Sequence, residues 1–122
     1  MIDHTLYLDL LGKPFVEGGR GPFFYDCVGL MLELHRRMGH RMPEWASDPE
    51  EVPRAMSLFE TVTEPRPGDC VLLRSPDPGW HVGVLVTPTL MLHARSEAGV
   101  LVESIARAPW KNHVEAYFRW RN

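Results

Sequence analysis

The chain has 122 residues, of which 44% are apolar and 24% charged, and its formal net charge at pH 7 is −3. This length and apolar fraction predict a single domain spanning residues 1–122, with one buried core. The slightly acidic balance excludes the basic field that binds nucleic acid or anionic lipid without sequence preference, and the longest apolar run, residues 82–86, is far too short to insert into a membrane.

The N-terminal part of the sequence predicts helices and loops. Residues 1–11 carry leucines on one side and acids on the other, which is typical of a short amphipathic helix. The glycine-rich residues 18–22 predict an irregular loop. A broadly apolar helix is predicted from residue 27 to its end at Gly39. Residues 41–53 predict an exposed connection, with at most a short helix over 53–59.

The C-terminal part of the sequence predicts strands. Short β-type runs cover residues 70–73, 82–86, 90–92, 100–103 and 117–120. The turn signals between them are short, as in antiparallel hairpins. Helices followed by strands indicate an α+β fold, with N-terminal helices packed on an antiparallel sheet of about five strands.

Cys27 is the first residue of the predicted apolar helix. The helix dipole favours a thiolate there, and with a histidine partner the thiol pKa is expected to fall to between about 3.5 and 7.5. The backbone N–H of Cys27 is also a free donor that can bind an oxyanion. Cys27 is therefore a candidate nucleophile, and the alternative is a small buried residue of the core. Cys70 lies inside an apolar run and is predicted to be a core residue, and we expect both thiols to be reduced.

Two histidines follow at strand positions suited to supporting a nucleophile. His81 begins the run 81–86, whose composition is that of a central strand, and it is the predicted base. His93 ends the run 90–92, and a hairpin between the two runs would bring both imidazoles to one end of the sheet. His93 is therefore predicted to orient His81. Trp80 either lines a substrate cleft or caps its strand.

The remaining histidines lack the paired spacing of metal sites. They are His4, His35, His40 and His113. We expect no metal and no other cofactor. No charged-then-apolar leader follows Met1, so the expected location at synthesis is the cytoplasm.

Four segments carry a family resemblance: GKPFVEGGRGPFFYDCVGL, PGDCVLL, HVGVLV and MLHARSEAGVLVE. Together they resemble the NlpC/P60 family of cell-wall cysteine peptidases across nearly the whole chain. The resemblance implies a reduced papain-like fold, with the nucleophile at Cys27, the base at His81 and a third polar residue at His93. It also implies a peptidoglycan stem-peptide substrate, commonly cleaved between D-glutamate and the following diamino acid.

The short form of the sequence looks most like the phage-tail branch of that family. This likeness implies phage-tail proteins as partners and a place in the virion tail.

Two positions depart from the family pattern. The family usually has a tyrosine that assists the oxyanion where this chain has Phe15, and a serine after the cysteine where this chain has Val28. Tyr25 is a candidate replacement for the missing hydroxyl, and Asp26 keeps half of the pair implicated in holding the amino end of the wall peptide. We predict that Tyr25, Asp26 and Trp80 contact the substrate.

Two alternatives to hydrolysis stay open. The first is a structural or assembly protein of a phage-like tail with little or no activity, which the residues Phe15 and Val28 favour. The second is a thiol acyltransferase relative, because the same triad transfers an acyl group as readily as it hydrolyses one.

Overall fold

The computed structural model describes residues 1–44, 58–74 and 79–121. Two 3₁₀ helices, His4–Leu6 and Leu8–Leu10, come first, followed by helix α1 (Cys27–Arg37) and six strands. The strands are β1 (Glu60–Val62), β2 (Cys70–Arg74), β3 (Trp80–Leu85), β4 (Leu90–Arg95), β5 (Gly99–Ser104) and β6 (Val114–Arg119). Most of the predicted connection 41–53 and of the predicted helix 53–59 lies outside the described residues.

The six strands form one antiparallel sheet in the order β1-β6-β2-β3-β4-β5. Strands β2 to β5 are neighbours in chain order, as the short turns predicted. Strand β6 returns to pair with β2, and β1 pairs with the outer side of β6. The predicted α+β fold is confirmed, with six strands instead of about five. The sixth is β1, whose three residues are too few to show alternation in the sequence.

The central strands are apolar because both of their faces are covered. One face packs with helix α1 in the larger core cluster, which includes Leu72, Val82, Val84, Leu92 and Ala94. The opposite face forms a second cluster, whose buried members are Val71, Leu73, Leu85, Met91, Ile105 and Trp110. The helix therefore contacts only one side of the sheet, and residues 105–113 contribute cover to the other.

Helix α1 has the ends that its sequence predicts. The Asp26 side chain accepts a hydrogen bond from the Gly29 N–H and so caps the N-terminus. Basic residues fill the last turn, where they complement the helix dipole, and Gly39 follows at φ +88°, a left-handed conformation that glycine adopts without strain.

The predicted amphipathic helix over residues 1–11 is wrong. Two 3₁₀ turns replace it, and Tyr7 breaks the helix between them. Of the residues in these turns only Leu10 is buried, so the apolar stripe is too narrow to hold a continuous α-helix on the core. Instead, backbone hydrogen bonds from Ile2 N to Val86 O and from Gly12 N to Val100 O tie the segment to the sheet.

No helix in residues 1–44, 58–74 and 79–121 combines the length and apolar character needed to cross a membrane.

Candidate active site

Asp26 fixes the backbone immediately before the predicted nucleophile. Its carboxylate is almost fully buried and accepts three hydrogen bonds. Oδ1 accepts from the Gly29 N–H at 2.7 Å and from Arg20 Nη1 at 2.9 Å, and Oδ2 accepts from the Gly18 N–H at 2.8 Å. These donors all belong to the glycine-rich loop and helix α1. The structure therefore places Asp26 as the clamp between loop and helix, and its contact with substrate stays a prediction.

Glycine 29 lets the loop lie directly on the first turn of the helix. A Cβ built at Gly29 would stand 1.9 Å from the carbonyl oxygen of Gly19, which is far inside van der Waals contact. Gly19 O also accepts a hydrogen bond from the Asp26 N–H at 3.2 Å. The position of Cys27 is thus set by close backbone contact between two segments.

The thiol of Cys27 lies close to the backbone of Val82, the residue that follows the predicted base on strand β3. Backbone N–H groups of Val82, Val28 and Cys27 itself are close enough to the sulfur to favour the thiolate. Burial opposes them and dominates, raising the pKa of the Cys27 thiol to about 11, with the nearby Asp26 charge acting in the same direction. The lowered thiol pKa predicted from the helix N-terminus is therefore reversed, because desolvation of the thiolate outweighs the N–H donors.

The structure brings His81 and His93 together, as the predicted hairpin requires. Strands β3 and β4 pair through Val84 and Leu92, and the Nε2 of His81 lies 2.6 Å from the Nδ1 of His93. Both side chains are buried. Burial is the main cause that lowers the pKa of each imidazole well below its ordinary value of 6.5, and the Arg95 charge adds to it. Both rings are therefore neutral at pH 7.

A carboxylate, which the sequence reasoning missed, continues this line of contacts. The Nε2 of His93 lies 2.9 Å from the Oε1 of Glu103. The Nε of Arg95 is also 2.9 Å from that oxygen, close enough for an ion pair although its N–H does not point at it. The β4–β5 register pairs His93 with Leu101, which makes Glu103 its diagonal neighbour. The sequence indicated both strands but not the register that joins these side chains.

Trp110 packs against both imidazoles, and the sequence did not predict this contact. Its ring stacks on His81, with centroids 5.3 Å apart and an interplanar angle of 17°. The same ring meets His93 edge-on at 5.4 Å and 89°. Trp110 lies in the turn-rich segment between β5 and β6, where no periodic pattern announces burial. It supplies part of the desolvation that keeps both histidines neutral.

The other predicted contacts lie around the glycine-rich loop and the start of β3. Tyr25 is buried, and a Cβ added to Gly21 would come within 2.4 Å of its hydroxyl, so its ring packs beneath the loop. Trp80 is half-buried at the first position of β3, with the Arg74 guanidinium 4.7 Å above its ring. Their roles toward substrate stay predictions.

Cys70 is a core residue, as predicted. It is fully buried, its Sγ lies 3.6 Å from the Nε2 of His35, and burial raises the pKa of its thiol. Cys27 and Cys70 are not bonded to each other, and their reduced state stays a prediction. Among the described residues, no group of three or more His, Cys, Asp or Glu side chains is arranged to hold a metal ion.

The fold and site define a small α+β domain with a cysteine at a helix start and two bonded histidines on neighbouring strands. The model of the NlpC/P60 family matches residues 12–119. The chain therefore belongs to the NlpC/P60 family, as its motifs implied.

Curated relatives match most of this chain but only part of themselves. The Murein DD-endopeptidase MepS/Murein LD-carboxypeptidase of Escherichia coli K12 is 28% identical over 106 residues, which are 86% of this chain and 54% of that protein. The probable endopeptidase p60 of Listeria grayi is 27% identical over 109 residues, or 89% of this chain and 20% of that protein. This chain thus spans about half, or less, of the length of these relatives.

Solved structures share the fold. The NlpC/p60 domain of the peptidoglycan hydrolase SagA superposes with a TM-score of 0.72 at 21% identity, covering 95% of this chain and 94% of that one. A lipoprotein-like NLP/P60 family protein from Staphylococcus aureus Mu50 gives a TM-score of 0.73 at 21% identity, covering 98% of this chain and 42% of that one.

Proposed function

We propose that this chain is a cysteine peptidase that cleaves amide bonds in peptidoglycan stem peptides, with Cys27 as nucleophile, His81 as base and His93 as the orienting group. The observation that carries the proposal is the 2.6 Å contact between His81 and His93, made beside the strand backbone that faces the Cys27 sulfur. The substrate class is supported by family membership and by the relatives named as murein endopeptidases.

The reaction begins from neutral groups, because burial raises the pKa of the Cys27 thiol and lowers that of His81. The sulfur attacks the amide carbonyl carbon while its proton passes to His81, so the new S–C bond and the imidazolium form together. The carbonyl electron pair moves onto oxygen, which the Cys27 backbone N–H stabilises at the helix start.

The tetrahedral intermediate then collapses, and His81 carries the proton between the reacting groups. The C–N bond breaks and His81 returns its proton to the leaving amine, which leaves a thioester on Cys27. Water gives a proton to His81 and attacks the thioester, the C–S bond breaks, and the sulfur recovers that proton. Peptide acid and resting enzyme are regenerated.

The test is cleavage of purified muropeptides, followed by mass spectrometry of the products. We expect the wild type and Cys70→Ser to release one new amine and one new carboxylate, and Cys27→Ala and His81→Ala to lose at least about a hundredfold in rate. Fragment masses distinguish a cut after D-glutamate from a cut at a DD bond. Wild-type protein that behaves like Cys27→Ala would favour the structural alternative, and products joined to an added amine would favour acyl transfer.

The phage-tail branch and cytoplasmic synthesis remain proposals that rest on the sequence alone. Mass spectrometry of purified virions from a host that encodes this chain tests the first, and a fractionation experiment on that host tests the second. Recovery of the chain only from cell envelopes would contradict both.

A further inference from the structure

Glu103 stands at the end of a line of three side chains that begins at the base. The Nε2 of His81 meets the Nδ1 of His93 at 2.6 Å, and the Nε2 of His93 meets the Oε1 of Glu103 at 2.9 Å. We propose that Glu103 is a positioning residue that selects the tautomer of both imidazoles and so leaves Nδ1 of His81 unprotonated as the base. The catalytic role in this inference rests on the proposed function, whereas the predicted proton positions on the two imidazoles do not.

The proton assignment follows from counting donors. A neutral imidazole has one N–H, and a carboxylate oxygen can only accept. The hydrogen between His93 and Glu103 must therefore sit on Nε2 of His93. Its Nδ1 is then bare and can only accept, so Nε2 of His81 must donate to it. The single N–H of His81 is used, and its Nδ1 keeps a lone pair.

The opposite arrangement is excluded by the same carboxylate. If His93 carried its hydrogen on Nδ1, it would donate to Nε2 of His81, and the hydrogen of His81 would move to Nδ1. Two lone pairs, on His93 Nε2 and Glu103 Oε1, would then face each other at 2.9 Å. In that state Nδ1 of His81 carries the hydrogen and has no lone pair with which to accept a proton from Cys27.

The environment of His93 makes a wrong tautomer costly. His93 is fully buried, so no water can replace a mismatched partner without rearrangement. Burial and the Arg95 charge both disfavour a doubly protonated His93, which would otherwise satisfy Glu103 and His81 at once. The Glu103 carboxylate thus determines the tautomers of both His93 and His81.

The variants Glu103→Gln and Arg95→Ala separate this role from a structural one. Glutamine has nearly the same shape but offers both an acceptor and a donor, so it loses the discrimination between tautomers together with the charge that faces Arg95. Arg95→Ala removes the neighbouring charge and keeps the carboxylate, so it is the matched control. Two-bond ¹H–¹⁵N NMR of imidazole-labelled protein at pH 7.5 reports each tautomer, with signals assigned through His81→Gln and His93→Gln.

We expect the Nε2–H tautomer at both histidines in the wild type and in Arg95→Ala, and an added Nδ1–H population at His81 in Glu103→Gln. The kcat of Glu103→Gln on muropeptides should fall by about 10- to 100-fold with KM unchanged, the range found when the outer partner of a metal-binding histidine is removed. A wild-type His81 protonated at Nδ1, or a Glu103→Gln protein with wild-type tautomers, would overturn the proposal. The NMR readout needs no substrate, so inactivity on muropeptides would refute the proposed function and leave this inference standing.

Discussion

Cys27 and His81 present a pair that is neutral at rest. The Cys27 sulfur lies near the backbone of strand β3 and of its own helix, and the His81 imidazole stacks on Trp110. In such surroundings the neutral forms are favoured over a thiolate and an imidazolium, because each charge would lose its hydration. The ionic form is then needed only once a carbonyl is being attacked, when charge moves onto the substrate oxygen.

Alkylation of Cys27 should therefore have an alkaline midpoint. We expect the rate with iodoacetamide to rise with pH through an apparent pKa near 11, because burial opposes the thiolate. Mass spectrometry of the modified peptide measures the rate, and Cys70→Ser should give the same curve since Cys70 is fully buried. A midpoint between about 3.5 and 7.5 would instead indicate a resting thiolate–imidazolium pair.

Replacement of Trp110 should move the acid limb of activity. Trp110→Ala removes a stacked ring from His81 and admits water, so the pKa of His81 should rise toward 6.5 and kcat/KM should begin to fall at a higher pH. Trp110→Phe keeps a stacked ring and should retain most of the wild-type profile. Trp120→Phe, which alters a tryptophan packed on Phe59, is the control. An unchanged acid limb in Trp110→Ala would show that the ring does not desolvate the base.

The glycine-rich loop and helix α1 behave as one unit because they touch through their backbones. Gly19 O sits where a side chain at Gly29 would project, and Asp26 holds both segments by hydrogen bonds. The position of Cys27, the proposed nucleophile, therefore depends on the loop as much as on the helix.

Gly29→Ala tests this contact, because the contact should reverse the sign of the change in the free energy of unfolding. In an open helix interior the change to alanine would stabilise by about 1 kcal/mol. Here the added methyl group meets a backbone oxygen, and we expect a loss of about 1–3 kcal/mol in the free energy of unfolding, with reduced activity. Urea denaturation followed by circular dichroism measures it. A stabilised variant would mean that the loop moves aside at little cost.

The sequence was most informative where one element carries its own signals. The sequence predicted the start of helix α1 at Cys27 and its end at Gly39, and it predicted the buried strands from their apolar runs. Residues 1–11 misled because leucines at helical spacing do not reveal whether a core lies beneath them. Glu103 and Trp110 were missed because their contacts depend on strand register and on the path of a loop, which local patterns do not contain.

The domain as a whole buries three histidines that its folded state keeps neutral. These are His35, His81 and His93, and burial is the main cause that lowers the pKa of each below 6.5. In the unfolded chain they titrate near 6.5, so below that pH the unfolded state binds more protons. The contribution of these histidines to the free energy of unfolding is complete above about pH 6.5. It is lost as the pH falls toward the lowered pKa values that they have in the folded state.

Stability should therefore decline steeply in mild acid. Between pH 7 and pH 5.5 the free energy of unfolding should fall by on the order of 1 kcal/mol for each of the three histidines. Urea titrations at both pH values measure the loss. His35→Asn should reduce the pH dependence by about one third, whereas His4→Gln, at an exposed site, should leave it unchanged. A flat profile from pH 7 to 5.5 would contradict the neutral burial of these rings.

The shielded sulfur of Cys27 also bears on how the protein ages. Peroxide attacks thiolates, and conversion to sulfenic acid is slow while the proton stays on sulfur. As the proposed nucleophile, Cys27 would carry charge only during turnover and would be protected from oxidation between turnovers. Exposure to hydrogen peroxide at neutral pH should leave Cys27 largely unmodified in resting protein, and mass spectrometry of oxidised Cys27 peptide should reveal faster damage as the pH approaches 11.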